Sequence, residues 1–412
     1  MIRKLVPIGV IIILAAGVFI FNEINSSSKD SLEQYADAVI EKCEGAASQR
    51  CYDREIPRFM DELTMEEVFE VTRIVQDKDP GYWFCHELGH NVSEREYDKD
   101  PSKWDEVITR CPVGMCSNGC VHGAFQKHFI AESLNDVQLE EVMPLLENLC
   151  EPRPDWNPTP LEQASCYHEL GHLSHYLTGT DIEKSQELCD TVSVKSDGRN
   201  YIQTCYEGMF MQLFEPREPE DFALIYNIIP YKEKLTVCEK YTDGIEKGAC
   251  WKIGWLGKVN EFCGQWSGEL RNACFREAWI VEDEKIKTPE GITQYCTYAL
   301  TDKEERLCYN KIFYSLMAIY EFDSEKVLSI CEGLPESVRS HCFADVASRK
   351  IETDKRLIDA ALGICKKAEA EGLEAECYKG LAYYATFAFH PGSEDNLKLC
   401  NGIPAPWNEE CK

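Results

Sequence analysis

Two stretches near the C-terminal end show the apolar pattern most cleanly. In DSEKVLSICEGLPESVRSHCFADVASRK (323–350) and DKRLIDAALGICKKAEAEGLEAECYKGLAYYA (354–385), apolar residues return every three or four positions, break at a Gly or Pro turn, and resume. A stripe of that period is the mark of an amphipathic helix, and Gly and Pro are the usual punctuation between two of them. Asp323 and Asp354 stand where an N-cap belongs. Each stretch therefore predicts two antiparallel helices, with one cysteine near the end of the first and a second cysteine opening the next. No strand signal of any length competes with this reading.

The cysteines extend the pattern over the whole chain. One series runs Cys51, Cys85, Cys120, Cys166, Cys205, Cys250, Cys274, Cys308, Cys342, Cys377, Cys411, and seven of its ten steps are 34 to 39 residues. A second series, Cys43, Cys111, Cys150, Cys189, Cys238, Cys263, Cys296, Cys331, Cys365 and Cys400, precedes it by 8 to 16 residues each time. Pairing neighbours gives Cys43–Cys51, Cys150–Cys166, Cys189–Cys205, Cys238–Cys250, Cys263–Cys274, Cys296–Cys308, Cys331–Cys342, Cys365–Cys377 and Cys400–Cys411, each a staple across one helical hairpin. Cys85, Cys111, Cys116 and Cys120 remain; Cys111–Cys120 with Cys85–Cys116 would complete the set, although four cysteines allow three connectivities and a four-cysteine zinc site is a further alternative.

A period near 34 residues resembles tetratricopeptide-type arrays in repeat length, without their consensus residues. What the resemblance implies is an all-α fold: an αα-hairpin repeat solenoid over roughly residues 40–412, stapled by disulfides, with a concave face able to hold a protein or peptide partner. Prolines crowd EPRPDWNPTP (151–160), and FEPREPED (214–221) with Pro230 makes a second break. The chain divides accordingly into a leader and linker (1–30), His-rich helical repeats (31–180) and more regular stapled repeats (181–412).

The leader changes the setting. Arg3 and Lys4 precede an apolar run from Leu5 to Phe21, with no small-x-small cleavage site at its end. We expect an uncleaved signal-anchor, a transmembrane helix over 5–21 with its positive end in the cytoplasm; a cleaved signal peptide is the alternative. Either way the remainder is extracytoplasmic, at the cell surface or in a periplasm, where 22 cysteines can pair. A net charge of −29 argues against nucleic acid and against anionic membrane surfaces. No calcium loop of the Asp-x-Asp-x-Asp-Gly type is present.

Seven of the nine histidines lie between residues 86 and 175, just after repeat cysteines. The strings are Cys85-His86-Glu87-Leu88-Gly89-His90, Cys120-Val121-His122-Gly123 and Cys166-Tyr167-His168-Glu169-Leu170-Gly171-His172, with His128 and His175 nearby. Two of them contain His-Glu-x-x-His, which resembles the zincin motif over five residues: two histidines share one helix face to hold zinc, and the glutamate takes a proton from metal-bound water. That resemblance implies Glu87 and Glu169 as catalytic bases of a metallohydrolase. It stops there, because no third ligand follows at the metzincin offset and no strand accompanies the helix.

Repetition gives a different expectation. If equivalent helices stack side by side, His86, His90, His122, His168 and His172 converge as ligands of one transition-metal site, zinc foremost, with copper, iron and nickel chemically suited as well. Glu87 and Glu169 then stand beside the metal, and Glu207 is the carboxylate best placed to extend the site. The competing expectation is a binding scaffold whose histidines are hydrogen-bonded interface groups. One mismatch matters: His86 and His90 sit one and five residues after their cysteine, whereas His122 sits at two and His168 and His172 at two and six. Since one residue turns a helix by about 100°, the first helix is either rotated on its staple or aims its histidines elsewhere. Gly89, Gly123, Gly171, Gly208, Gly254 and Gly380 predict close helix packing, and the aromatic residues after the cysteines (Tyr206, Trp251, Phe275, Tyr309, Phe343, Tyr378) predict core positions.

Overall fold

The computed structural model describes residues 31–411, excepting 46–47, 80, 83–84, 113–114, 130–133, 155, 215–236, 239, 242–248, 251–266, 268–282, 300 and 321. Among the described residues the fold is all-α, with only two isolated bridges, Arg153 with Trp156 and Val194 with Asn200. None of these helices is long and apolar enough to cross a membrane. The anchor expected at 5–21 lies outside the described residues, as do the staple Cys263–Cys274, the break at 215–230, Gly254, Trp251 and Phe275.

Helices α1 (residues 31–42), α2 (Ser48–Glu55), α3 (Met65–Lys78), α4 (His86–Lys99), α5 (Trp104–Arg110), α6 (Gly119–Phe129), α7 (Asp136–Leu149), α8 (Pro160–Leu177), α9 (Ile182–Ser193) and α10 (Ile202–Phe214) form the first group. The second group is α11 (Pro289–Tyr295), α12 (Asp302–Ile319), α13 (Ser324–Cys331), α14 (Glu336–Thr353), α15 (Ile358–Ala370), α16 (Glu374–Ala388) and α17 (Glu394–Gly402). Within each group the second helices of successive hairpins lie side by side: α4 on α6, α6 on α8, α8 on α10, and likewise α12 on α14 and α14 on α16. Each group has its own apolar core, one running from Leu32 to Cys250 and the other from Ile286 to Cys411. The ion pair Arg356–Asp77 (3.0 Å) and a contact between His390 and Glu162 (3.3 Å) link the two.

Local sequence accounts for the helix starts. Thr64, Asn135 and Thr159 each accept from the backbone three residues on while Glu67, Gln138 and Glu162 reach back, closing capping boxes. Asp323 caps α13 through the Glu325 and Lys326 amides, as expected. Asp354 instead caps a short 3-10 turn, Lys355–Leu357, that leads into α15. The expectation that each second cysteine opens its helix is corrected: Cys342 lies well inside α14 and Cys166 well inside α8. The start is set by Pro335 and Thr159, whose backbone and side-chain capping chemistry act upstream of the sulfur.

Ten disulfides join the described cysteines, and none of those cysteines is free. Nine follow the hairpin rule, including Cys111–Cys120, and the tenth is Cys85–Cys116. Closing so short a loop contributes about 2–3 kcal/mol to a hairpin before strain. The aromatic residues expected at core positions, Tyr206, Tyr309, Phe343 and Tyr378, are all buried. In two hairpins the tyrosine after the second cysteine donates to the acid after the first: Tyr167 to Glu151, and Tyr206 to Asp190. A folded chain with this many disulfides belongs in an oxidising, exported setting.

Candidate metal centre

The imidazoles meet where α4, α6, α8 and α10 cross. Glycine makes the crossings close: a Cβ on Gly123 would lie 2.5 Å from His90 Cα, one on Gly171 2.0 Å from the Cys205 carbonyl, and one on Gly208 1.9 Å from the His168 carbonyl. Gly89 is equally tight, 2.7 Å from the Cys120 amide. At Gly380 the nearest atom would be 3.4 Å away, an ordinary contact, so the packing role expected there is not needed. Backbones this close bring the helices, and the histidines on α4, α6 and α8, into one layer.

His86 opens α4, directly after the capping residue Cys85. The Cys85–Cys116 bridge ties that end to the 3-10 turn Met115–Asn118, where Cys116 and Asn118 have left-handed backbones (φ 53° and 60°). The Cys116 carbonyl there accepts from His86 Nδ1 at 3.3 Å. The staple of α4 thus sits at its N-cap, whereas Cys166 lies well inside α8. Of the two alternatives left by the sequence, convergence is the one observed. His90 Nε2 lies 3.1 Å from His86 Nε2, and His122 Nδ1 lies 3.4 Å from the same atom. One ligating nitrogen from each of the three lies within 4.8 Å of the others, an arrangement that could hold a metal ion.

The second His-Glu-x-x-His repeats the geometry on α8. His172 Nε2 is 3.2 Å from His168 Nε2, and the His172 ring lies 4.6 Å from that of His122. All five imidazoles thus form one continuous group. Its members are buried, with His86, His90, His122 and His172 between 3 and 8% exposed; His168 is half-buried.

Outer hydrogen bonds decide which nitrogens carry lone pairs. A carbonyl can only accept, so His86 has its proton on Nδ1 and a lone pair on Nε2. His172 Nδ1 is 2.8 Å from Gln212 Oε1, while the Gln212 amide nitrogen donates to the Tyr176 hydroxyl at 3.0 Å. Gln126 is the partner of His90 and donates to the same hydroxyl at 3.1 Å. Tyr176 therefore joins two glutamines, each of which orients one histidine. This arrangement, in which a second hydrogen bond fixes ring and tautomer, is what metal-ligating histidines ordinarily have.

The two motif glutamates separate. Glu87 is exposed, and its charge is felt by Asp53 and Tyr82. Glu169 is 2% exposed, and its Oε2 has no hydrogen-bond partner; the nearest nitrogen is His122 Nδ1 at 3.7 Å. Burial drives the Glu169 carboxyl well above the usual range. Burial, and then the neighbouring rings, push His90 and His122 well below the usual histidine value. His122 Nε2 is likewise buried without a partner. Glu207 sits on α10, half-buried, accepting from Gln203 at 3.1 Å. His128 stacks on Trp104 and His175 faces Ser185, so neither joins the cluster.

Gln126, Gln212 and Tyr176 escaped the sequence reading. Their signal was present: two glutamines, six and seven residues after Cys120 and Cys205. No family model, curated protein or solved structure matches the chain.

Proposed function

We propose that this is an exported helical-repeat protein whose N-terminal half holds a transition metal ion, zinc before copper, iron or nickel, on His86, His90 and His122. The observation that carries the reading is the convergence of one nitrogen from each of His86, His90 and His122 within 4.8 Å, with His90 Nε2 3.1 Å and His122 Nδ1 3.4 Å from His86 Nε2. Two nitrogens bound to one tetrahedral zinc at about 2.0–2.1 Å would lie about 3.4 Å apart, close to the separations found. The carboxyl of Glu169 lies buried beside His122, and a dication there would favour the ionised form that burial alone disfavours.

Burial also bears on the kind of site. Four of the five rings and Glu169 are enclosed, and Glu87 faces away into solvent, which supports an ion that is held over a zincin-like hydrolytic centre based on Glu87. The stacking of second helices supports the reading as an αα-solenoid, and a leader of apolar residues 5–21 supports attachment to a membrane. Protein purified without a histidine tag tests the proposal. We expect stoichiometric metal by elemental analysis, lost in His86→Ala/His90→Ala with the disulfides intact. A parent that binds no zinc, copper, iron or nickel after metal-free refolding and titration would leave the imidazoles as interface groups.

A further inference from the structure

The triad of His86, His90 and His122 leaves two of the five imidazoles unexplained. His168 and His172 repeat the chelating geometry four residues apart on one face of α8, with Nε2 atoms 3.2 Å apart. Gln212 holds the proton of His172 on Nδ1, so its Nε2 turns a lone pair on His168, as His86 does on His90. Resting on the metal reading above, we infer that the centre is built for two ions, the second held by His168 and His172.

Three further observations fit a pair of ions better than one. A single ion cannot be reached by five rings and keep two separate chelating pairs, each already closed to about the width of one ion. His122 stands between the pairs, its ring 4.4 Å from that of His90 and 4.6 Å from that of His172. One of its nitrogens faces the first pair, and the other, Nε2, is buried with no partner. Glu169, one residue from His168 and 3.7 Å from His122, places an unpartnered buried oxygen at the same junction, where two dications would most need an anion.

The two positions differ in access. His86, His90 and His122 are enclosed, whereas His168 is half-buried. The first ion is therefore the slowly exchanging one, and the second borders solvent. Two ions of unequal lability give the centre an exchangeable position supported by a fixed one.

Copper(II) titration of untagged, oxidised, full-length protein tests this, read by elemental analysis and by electron paramagnetic resonance. We expect two equivalents per chain, a half-field signal from two coupled copper ions, and removal of one equivalent by chelator at least tenfold faster than the other. His168→Ala/His172→Ala should keep one equivalent and lose the half-field signal. A parent that saturates at one equivalent, kept in that variant, overturns the second ion and leaves the first reading standing. A parent with one equivalent that both His86→Ala/His90→Ala and His168→Ala/His172→Ala abolish shows one shared ion and also overturns it. A parent that binds none overturns both readings. The parent titration decides between one and two ions even where a variant does not fold.

Discussion

Glu169 on α8 and Asp345 on α14 stand at the same distance from their staples, three residues after Cys166 and Cys342, and both lie against the neighbouring second helix. Asp345 receives a two-pronged guanidinium from Arg306, both contacts at 2.7 Å, and a third bond from Asn310 at 3.0 Å. Glu169 has a free oxygen among imidazoles that burial keeps unprotonated. The repeat fixes where a carboxylate falls; the neighbours decide what charge answers it. In the C-terminal half the answer is built into the chain, and in the N-terminal half we assign it to a metal ion.

Spacing separates two equivalent positions, three residues after Cys205 and Cys377, as sharply. At Gly208 a methyl group would stand 1.9 Å from a carbonyl oxygen, and at Gly380 3.4 Å from the nearest atom. Gly208→Ala should therefore cost about 3 kcal/mol or more, read from the urea midpoint, because backbone cannot yield as a side chain can. Gly380→Ala should be neutral or stabilise by up to about 1 kcal/mol through helix propensity. Equal effects at the two positions would break the comparison.

Acid is the next test. His175 is buried with a pKa lowered to about 4, and His90 and His122 are also lowered by burial. As pH falls below about 6.5 the unfolded chain takes up protons that the folded one refuses, so stability drops, by about 1 kcal/mol per pH unit for His175 until its folded pKa is reached. Seven histidines precede residue 176 and two follow it, so hydrogen exchange in metal-free protein should quicken first in α4, α6 and α8. Loss of protection in α14 and α16 at the same pH would contradict this.

A smaller contrast concerns the two carboxylates themselves. Arg306→Ala strands Asp345 and should cost about 1–2 kcal/mol, moderated because Arg306 is partly exposed. Glu169→Gln in metal-free protein should cost nothing or stabilise by about 1 kcal/mol, since an amide needs no counter-charge. The same change should weaken metal binding at least tenfold. A Glu169→Gln protein as destabilised as Arg306→Ala would mean that the carboxyl already has its partner within the chain.

The sequence made the staples and the set of histidines legible because both are periodic, and period is what helices convert into position. The Cys85 offset could not be resolved from the same rule, since its solution is a left-handed turn at Cys116 and a backbone carbonyl that no side chain announces. Nor could the two glutamates be told apart. Each follows its first histidine by one residue in the same five-residue motif, and only the packing around the helix leaves Glu87 exposed and buries Glu169. Gln126 and Gln212 were visible as polar residues after repeat cysteines, yet their meaning depends on Tyr176, which lies 50 and 36 residues away in the chain.

The most direct measurement is anomalous diffraction from crystals of untagged protein grown with zinc, with data on both sides of the zinc absorption edge. The account predicts a peak among His86 Nε2, His90 Nε2 and His122 Nδ1 with Glu169 beside it. The same imidazoles in the same positions with no anomalous peak among them would contradict it.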